Sequence, residues 1–284
     1  MAALAPTFEA LAEFAFTDRH FSLLRGLVTR HAGIHLSDAK RQLIYGRLTR
    51  RIRALELSGF DAYCDLLHDP CGQEIENFVN AVTTNLTSFF RENHHFEYLA
   101  QTVVPDLQRR HAGTRRIRIW SAGCSTGEEP YSIAMTVLEA LGERSDWDVQ
   151  ILATDIDSNV VATASAGVYP EDRQQGLNEA RRKRWFTADR GGPVQAKSAV
   201  REILRFAQLN LMGDWPFNGP FDAIFCRNVA IYFDEATQGR LFHRYADVLA
   251  NHGRLFIGHS ETMFRTCDRF DLIGHTTYRL LRAK

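Results

Sequence analysis

Apolar positions recur at helical spacing through the first third of the chain. Phe21, Leu24, Leu27 and Val28 share one face, and Leu43, Ile44, Leu48, Ile52 and Leu55 share another. Breaks fall near His31-Ala-Gly33, Ser58-Gly59 and Asp69-Pro-Cys-Gly72. The pattern predicts an all-helical domain over residues 17–88, preceded by an Ala-rich arm over 1–16 and followed by a linker helix over 89–114 that carries the amphipathic stretch His95 to Arg110. Beyond residue 115 the period changes. Ile117-Arg-Ile-Trp120 alternates as a strand, and the apolar runs Val149 to Asp155, Leu204 to Leu211 and Phe221 to Asn228 read as further strands. A helix from Glu235 to Leu249, a strand Gly253 to Gly258 and a last strand around Thr276 to Leu281 follow. Strands alternating with helices indicate a parallel α/β sheet over 115–284. One polar, Arg-rich stretch, about 166–205 with Gly191-Gly-Pro193 at a hairpin, interrupts it as an inserted subdomain.

The first strand runs into Ser121-Ala-Gly-Cys-Ser-Thr-Gly-Glu-Glu-Pro130. Gly123 and Gly127 allow a ligand close approach to the backbone, and Pro130 suits a first helical turn, so this junction reads as a nucleotide-cradling turn. The second strand ends in Asp155, placed to accept hydrogen bonds from ribose hydroxyls. Asn210 closes the third strand, with an amide that can pair with an adenine edge, and the fourth turns polar at Arg227-Asn228. Either Asp155 or Asn210 alone is as readily a loop cap. Three polar strand ends together suit one ligand lying across the crevice.

At 284 residues and 45% hydrophobic content the chain can bury a core for one large and one smaller domain. Net charge is zero, so no global field drives it to nucleic acid or membrane. Five cysteines without a Cys-x-x-Cys pair fit a reducing cytoplasm, and no apolar run is long enough to span a bilayer. Locally, Lys40 to Arg53 holds six basic residues and no acidic one. Arg47, Arg50 and Arg51 lie on one side of a helix there, as a docking face for an acidic partner or as a plain solvated face.

Five blocks stand in order: Thr83-Thr-Asn-Leu-Thr-Ser-Phe-Phe-Arg-Glu92, Trp120 to Ser132, Asp155-Ile-Asp157, Phe221 to Phe233, and Gly258-His-Ser-Glu261. Together they resemble the chemotaxis receptor methyltransferase family, CheR, nearly end to end. The resemblance implies a Rossmann-like class I S-adenosylmethionine-dependent methyltransferase with an N-terminal all-α domain and an inserted small antiparallel β-subdomain. It implies transfer of a methyl group from S-adenosylmethionine to receptor glutamates, leaving S-adenosylhomocysteine, with the cytoplasmic helical domain of chemotaxis receptors as partner. Carried over motif by motif, it places Asn85, Thr87 and Arg91 facing the cofactor, with Arg91 nearest the chemistry. Gly123 lies in the turn, Glu129 at the methionine part, Asp155 at the ribose, and Asn210, Leu211, Asn228 and Val229 at the adenine side and floor. Tyr232 stands beside the methyl group. Gly123-Cys124 departs from relatives, which often have alanines there. Alone, Thr87, Ser88 and Arg91 would read as an ordinary helix start.

A glutamate with an ordinary pKa near about 4.3 is ionised at neutral pH, so the implied reaction needs neither general base nor metal. His94, His95 and His259 read accordingly as structural or surface residues. Competing readings are a nucleic-acid or small-molecule methyltransferase and a cofactor-binding sensor without transfer. Against the first, Arg227-Asn-Val-Ala230 stands where an amino-methylating Asn-Pro-Pro-Tyr motif would follow the fourth strand. Finally, the loop around Arg190-Gly-Gly-Pro-Val194 is shorter than that of relatives which capture a peptide tethered at the receptor carboxyl terminus, so tether-independent recognition is expected.

Overall fold

The computed structural model describes residues 13–69, 72, 74–142, 146–188 and 192–281. Contacts divide the chain into two compact units, with the break between Thr84 and Asn85. The linker segment therefore belongs to the second unit. The arm over 1–16 lies mostly outside the described residues.

The first unit holds helices α1 (Asp18–Ala32), α2 (Arg41–Ala54), α3 (Phe60–Leu67) and α4 (Glu74–Val82). Thr17 caps α1 through a reciprocal hydrogen-bond pair with His20, and Gly33 ends it in the left-handed region that a residue without Cβ adopts freely. Leu24, Val28, Leu48, Ile52, Phe60, Tyr63 and Phe78 are buried together with Ile44. Leu43 departs from the expected stripe and is 44% exposed. Tyr45 and Thr49 complete the buried face of α2 instead, since Leu43 sits about 100° around the helix from Ile44. A staple joins three helices: Glu74 accepts from Arg51 Nε at 2.7 Å and Nη2 at 2.6 Å, from Tyr63 Oη at 3.0 Å and from Asn77 at 3.2 Å.

In the second unit the linker is a nearly continuous helix, α5 (His94–Tyr98), one π-turn (Leu99–Val103) and α6 (Val104–Arg110). A seven-stranded sheet follows, made of β1 (Arg116–Ala122), β2 (Asp148–Asp155), β6 (Leu204–Gln208), β7 (Phe221–Cys226), β8 (Leu249–Ile257), β9 (Phe270–Gly274) and β10 (Thr277–Leu280). Its order is β6-β2-β1-β7-β8-β10-β9. The first five strands are parallel, and β10 runs antiparallel between β8 and the edge strand β9. The chain reverses direction across the sheet between β1 and β7, which makes their carboxyl ends the topological switch point where ligands bind in such folds. Helix α7 (Glu128–Leu141) is buried on nearly every face. Its Tyr131, Ile133, Met135 and Val137 share a core with Leu99, Val103 and Leu107 of the linker and with Tyr169, Phe186 and Val194 of the insertion.

The insertion follows α8 (Ser158–Ala166) and contains β3 (Val168–Tyr169), α9 (Glu179–Trp185), β4 (Phe186–Ala188), β5 (Val194–Ala196) and α10 (Ser198–Arg201). Its three strands form an antiparallel sheet in the order β3-β5-β4. The tip at 189–191, on which the shortened-loop expectation rests, lies outside the described residues. Two sequence expectations needed correction. Strand β8 begins at Leu249 rather than Gly253, and the edge strand β9 was not foreseen. Asn251-His252-Gly253 hides the first, and the half-exposed pattern of Phe270-Asp-Leu-Ile-Gly274 hides the second. Among the described residues no helix is long and apolar enough to cross a membrane.

Candidate functional site at the carboxyl end of the sheet

Beyond Ala122 the chain bends sharply over the end of β2, where Gly123 N and Cys124 N both donate to Thr154 O at 2.8 Å. Gly123 has φ +98°, and a Cβ there would stand 2.3 Å from Val229 Cγ2. The loops after β1 and after β7 thus meet where only glycine fits. Ser125, also left-handed, donates its N–H to Asp155 Oδ2 at 2.8 Å, while Asp157 N donates to Oδ1 at 3.1 Å. Burial pushes the Asp155 carboxyl above the usual range against the pull of these N–H groups. Its oxygens keep acceptor capacity beyond the two bonds, as a ribose diol requires.

Asn85 closes over the same turn. Its Nδ2 donates to Asp157 Oδ2 at 2.7 Å, and its carbonyl accepts from Ser125 Oγ at 3.0 Å. Farther along that segment Phe90 and Glu92 take positive φ, as do Ser125 and Asn228. Four of the seven left-handed non-glycine residues among those described therefore gather at this end of the sheet, where over-determined strain usually marks function. Thr87 is half-buried in the same segment.

Arg91 donates from Nη1 to Leu86 O at 2.9 Å, which fixes its guanidinium against its own segment. Behind it lies Arg227, buried, whose Nη2 bonds the Arg91 carbonyl, whose Nε faces Glu129 Oε2 at 3.2 Å and whose Nη1 approaches His95 Nδ1 at 3.3 Å. Glu129 also accepts from Ser121 Oγ at 2.7 Å. Burial pushes this carboxyl up, and Arg227 pulls it back. An arginine only donates, so His95 Nδ1 accepts and Nε2 carries the hydrogen, which reaches His275 O at 3.0 Å. Burial, then Arg227, holds His95 down to about 3. It is a neutral structural histidine.

Asn210 sits past β6, half-buried, and its Oδ1 accepts from Met212 N at 2.9 Å. Leu211 is buried beside it, and the neighbouring Leu209 N donates to Asp155 O at 2.8 Å. After β7, Asn228 and Val229 donate their N–H groups to Glu261 at 2.9 Å each, joined by Ile231 N at 3.1 Å and by Gly258 N. Tyr232 ends the single 3-10 turn that this loop forms and is half-buried. The structure thus links Asn85 to Asp155 through Ser125 and Asp157, and sets Gly123 against Val229, the neighbour of Asn228. Arg91 and Glu129 join them through Arg227.

Three residues here were given no role from sequence. Glu261 shapes the 228–231 loop, and burial raises its carboxyl although four N–H groups oppose that. Glu128, fully buried, takes Arg173 of the insertion at 2.5 Å. Both of these and Arg227 stand in segments that resemble CheR, but only their long-range partners disclose what they do.

In the helical unit the arginines part company. Arg47 donates to Val82 O at 2.7 Å, Thr83 O at 2.6 Å and Thr84 Oγ1 at 3.0 Å, satisfying carbonyls at the end of α4. Arg51 is committed to Glu74. Arg50 is exposed.

Comparison with known proteins accords with this geometry. Residues 85–279 match the family described as CheR methyltransferase, SAM binding domain, and residues 19–83 match its all-alpha domain. The chain belongs to the CheR methyltransferase family. It is 46% identical to a probable chemotaxis protein methyltransferase of Rhizobium etli, over 89% of this chain and 96% of that relative. To chemotaxis protein methyltransferase 2 of Pseudomonas aeruginosa it is 44% identical, over 94% of each chain. The chemotaxis protein methyltransferase of Escherichia coli is 43% identical, over 94% of this chain and 92% of its own. As a CheR member the chain is a methyltransferase of chemotaxis, and S-adenosylmethionine is its cofactor.

Proposed function

We propose that the chain methylates glutamate side-chain carboxylates of chemotaxis receptors in the cytoplasm, forming methyl esters. The observation that carries this reading is Asp155. It is a nearly buried carboxylate at the switch point that holds two loop N–H groups and retains acceptor capacity for a ribose. Gly123 and Val229 would form the floor, Asn210 and Leu211 the adenine side, and Glu129 the methionine end.

S-adenosylmethionine supplies a methyl group on a sulfonium, which one glutamate oxygen can displace in line. The carboxylate is ionised already, so no base is required, and His95 is neutral and fully engaged. Because an anion and a cation cancel during transfer, a strong ion pair to the glutamate would stabilise the ground state more than the transition state. Arg91, held by the Leu86 carbonyl, would orient the glutamate rather than neutralise it. Tyr232 would present its ring to the sulfonium, a contact worth about 0.5 to 2 kcal/mol. Alignment and removal of water would supply most of the rate.

For receptor docking, Arg50 is the arginine of its helix left for steering, since Arg47 and Arg51 hold the helical unit together. Tether independence has support in the insertion: its edge strand β3 has two residues, a short template for strand addition. The test is transfer from methyl-labelled S-adenosylmethionine to receptor-bearing membranes, with and without the receptor carboxyl-terminal peptide. Label released as methanol by alkali, in equal amount from both substrates, is expected. Alkali-stable label would exclude an ester, and loss of labelling with the peptide would exclude tether independence.

A further inference from the structure

A second convergence of side chains lies near the amino ends of the central strands, away from the cofactor site. His111 follows α6, Asp222 is the second residue of β7, and His252 lies in the first half of β8. The three come from separate stretches of chain. His111 Nε2 and His252 Nε2 stand 3.0 and 2.9 Å from the same oxygen, Asp222 Oδ1, and 3.4 Å from each other. Asp222 Oδ2 accepts from Arg118 N at 2.8 Å, which fixes the carboxylate with Oδ1 turned to the two rings.

We propose that His111, Asp222 and His252 bind one divalent transition-metal ion, zinc by their donor chemistry. Zinc takes imidazole nitrogen at about 2.0–2.1 Å and carboxylate oxygen at about 2.0–2.2 Å, so two donors on one ion stand about 2.9 Å apart at a right angle and about 3.3 Å apart at the tetrahedral angle. The three separations, 2.9, 3.0 and 3.4 Å, are edges of that size. A single His–Asp pair would give one such edge; here three donor atoms form a closed triangle and could meet an ion on one face. Two imidazoles with one carboxylate suit zinc, and the remaining coordination would fall to water. The backbone bond from Arg118 plays the orienting part that outer partners play around ligating carboxylates. Both histidine side chains are about a quarter exposed, 25% and 22%, so an ion has a path in, whereas Asp222 at 8% is sheltered.

Two other groups among the described residues offer three donor atoms, Glu92/His94/His95 and His243/Cys267/Asp268. In the first, His95 Nε2 is spent on His275 O and Nδ1 faces Arg227, which disqualifies it. In the second, His243 and Asp268 are 3.5 Å apart on open surface, and its thiol provides a spectroscopic label. Bound at 111/222/252, an ion would tie the end of the linker helix to β7 and β8, apart from methyl transfer.

The experiment uses the full chain without a histidine tag, stripped of metal, with zinc added in competition with a chromophoric chelator and cobalt(II) as an absorbing substitute. One equivalent should bind, raising the midpoint of thermal unfolding. His111→Gln and His252→Gln should each weaken uptake by about 100-fold or more, beyond the 10- to 100-fold that outer-partner changes cost. Glutamine can still donate to Asp222, and an unchanged circular dichroism spectrum with unchanged S-adenosylhomocysteine affinity would show that fold and cofactor site are kept. Equal zinc uptake by wild type and both variants would overturn the proposal. So would no uptake at tens of micromolar zinc, or a thiolate-to-cobalt band placing the ion at Cys267.

Discussion

Glu74 in the helical unit and Asp155 in the catalytic unit are both carboxylates sheltered from water, yet their partners differ in kind. Glu74 is surrounded by side chains: the Arg51 fork, Tyr63 and Asn77. Burial pushes its carboxyl up, and those bonds more than offset the push, leaving it below the usual range. Asp155 meets backbone N–H groups, those of Ser125 and Asp157 among them, and burial leaves it above the usual range. The first arrangement is saturated and ties α2, α3 and α4 together. The second fixes a loop while keeping acceptor capacity, and Glu261 repeats the device in the loop after β7. At Glu74 a sheltered carboxylate that meets a side-chain cation ties helices together, whereas at Asp155 and Glu261 one that meets backbone N–H groups shapes a loop.

Breaking the staple should have the greatest consequence. Arg51→Glu removes the fork and sets two acids together, and should cost the helical unit about 3 kcal/mol, the low end for splitting a buried pair because Arg51 keeps 30% of its side chain exposed. Denaturant unfolding reads this, and a loss below 1 kcal/mol, flagged by the range for exposed pairs of about 0–1, would make the pair a surface one. On the catalytic side Arg91→Ala should leave S-adenosylhomocysteine affinity nearly unchanged and lower kcat by about 100-fold, the order expected when a reacting group is misaligned. Receptor methylation at comparable kcat would remove Arg91 from the positioning role.

His95 adds a pH dependence of known sign. Burial and Arg227 depress its folded pKa to about 3, whereas the unfolded chain takes up the proton near about 6.5. Its contribution is therefore complete above the unfolded value and is lost as pH falls from there toward the folded value, by up to about 1.4 kcal/mol per pH unit. His95→Gln should flatten that part of the stability profile. Parallel profiles for wild type and variant would mean the ring is not held neutral. The mildest change is Arg50→Glu, expected to slow receptor methylation less than about threefold and to flatten its salt dependence without touching cofactor affinity. An unchanged salt profile would make Arg50 an ordinary solvated residue.

The catalytic unit was legible in sequence because its signals are local. Each strand period, the small-residue turn at Gly123 and the acid that ends β2 can be read from a few consecutive residues. The helical unit misled where the decisive partner lay far along the chain. Lys40 to Arg53 lacks an acid of its own, so Arg47 and Arg51 read as a docking face or a solvated one; Glu74 and the Val82, Thr83 and Thr84 oxygens that claim them lie 23 to 37 positions away. Arg227 escaped a role for the same reason, since it joins Arg91, His95 and Glu129 from across the chain. The edge strand β9 was hidden by exposed residues such as Leu272.

The measurement that bears most directly on the contrast is calorimetric titration of S-adenosylhomocysteine into wild type, Asp155→Ala and Asp155→Asn. Loss of charge-assisted bonds to the ribose should weaken binding to the alanine variant by about 10- to 100-fold. The asparagine variant, which keeps one acceptor oxygen, should fall between. If Asp155→Ala bound within twofold of wild type, the carboxylate would be a loop cap and no more, and the cofactor site would have to lie elsewhere.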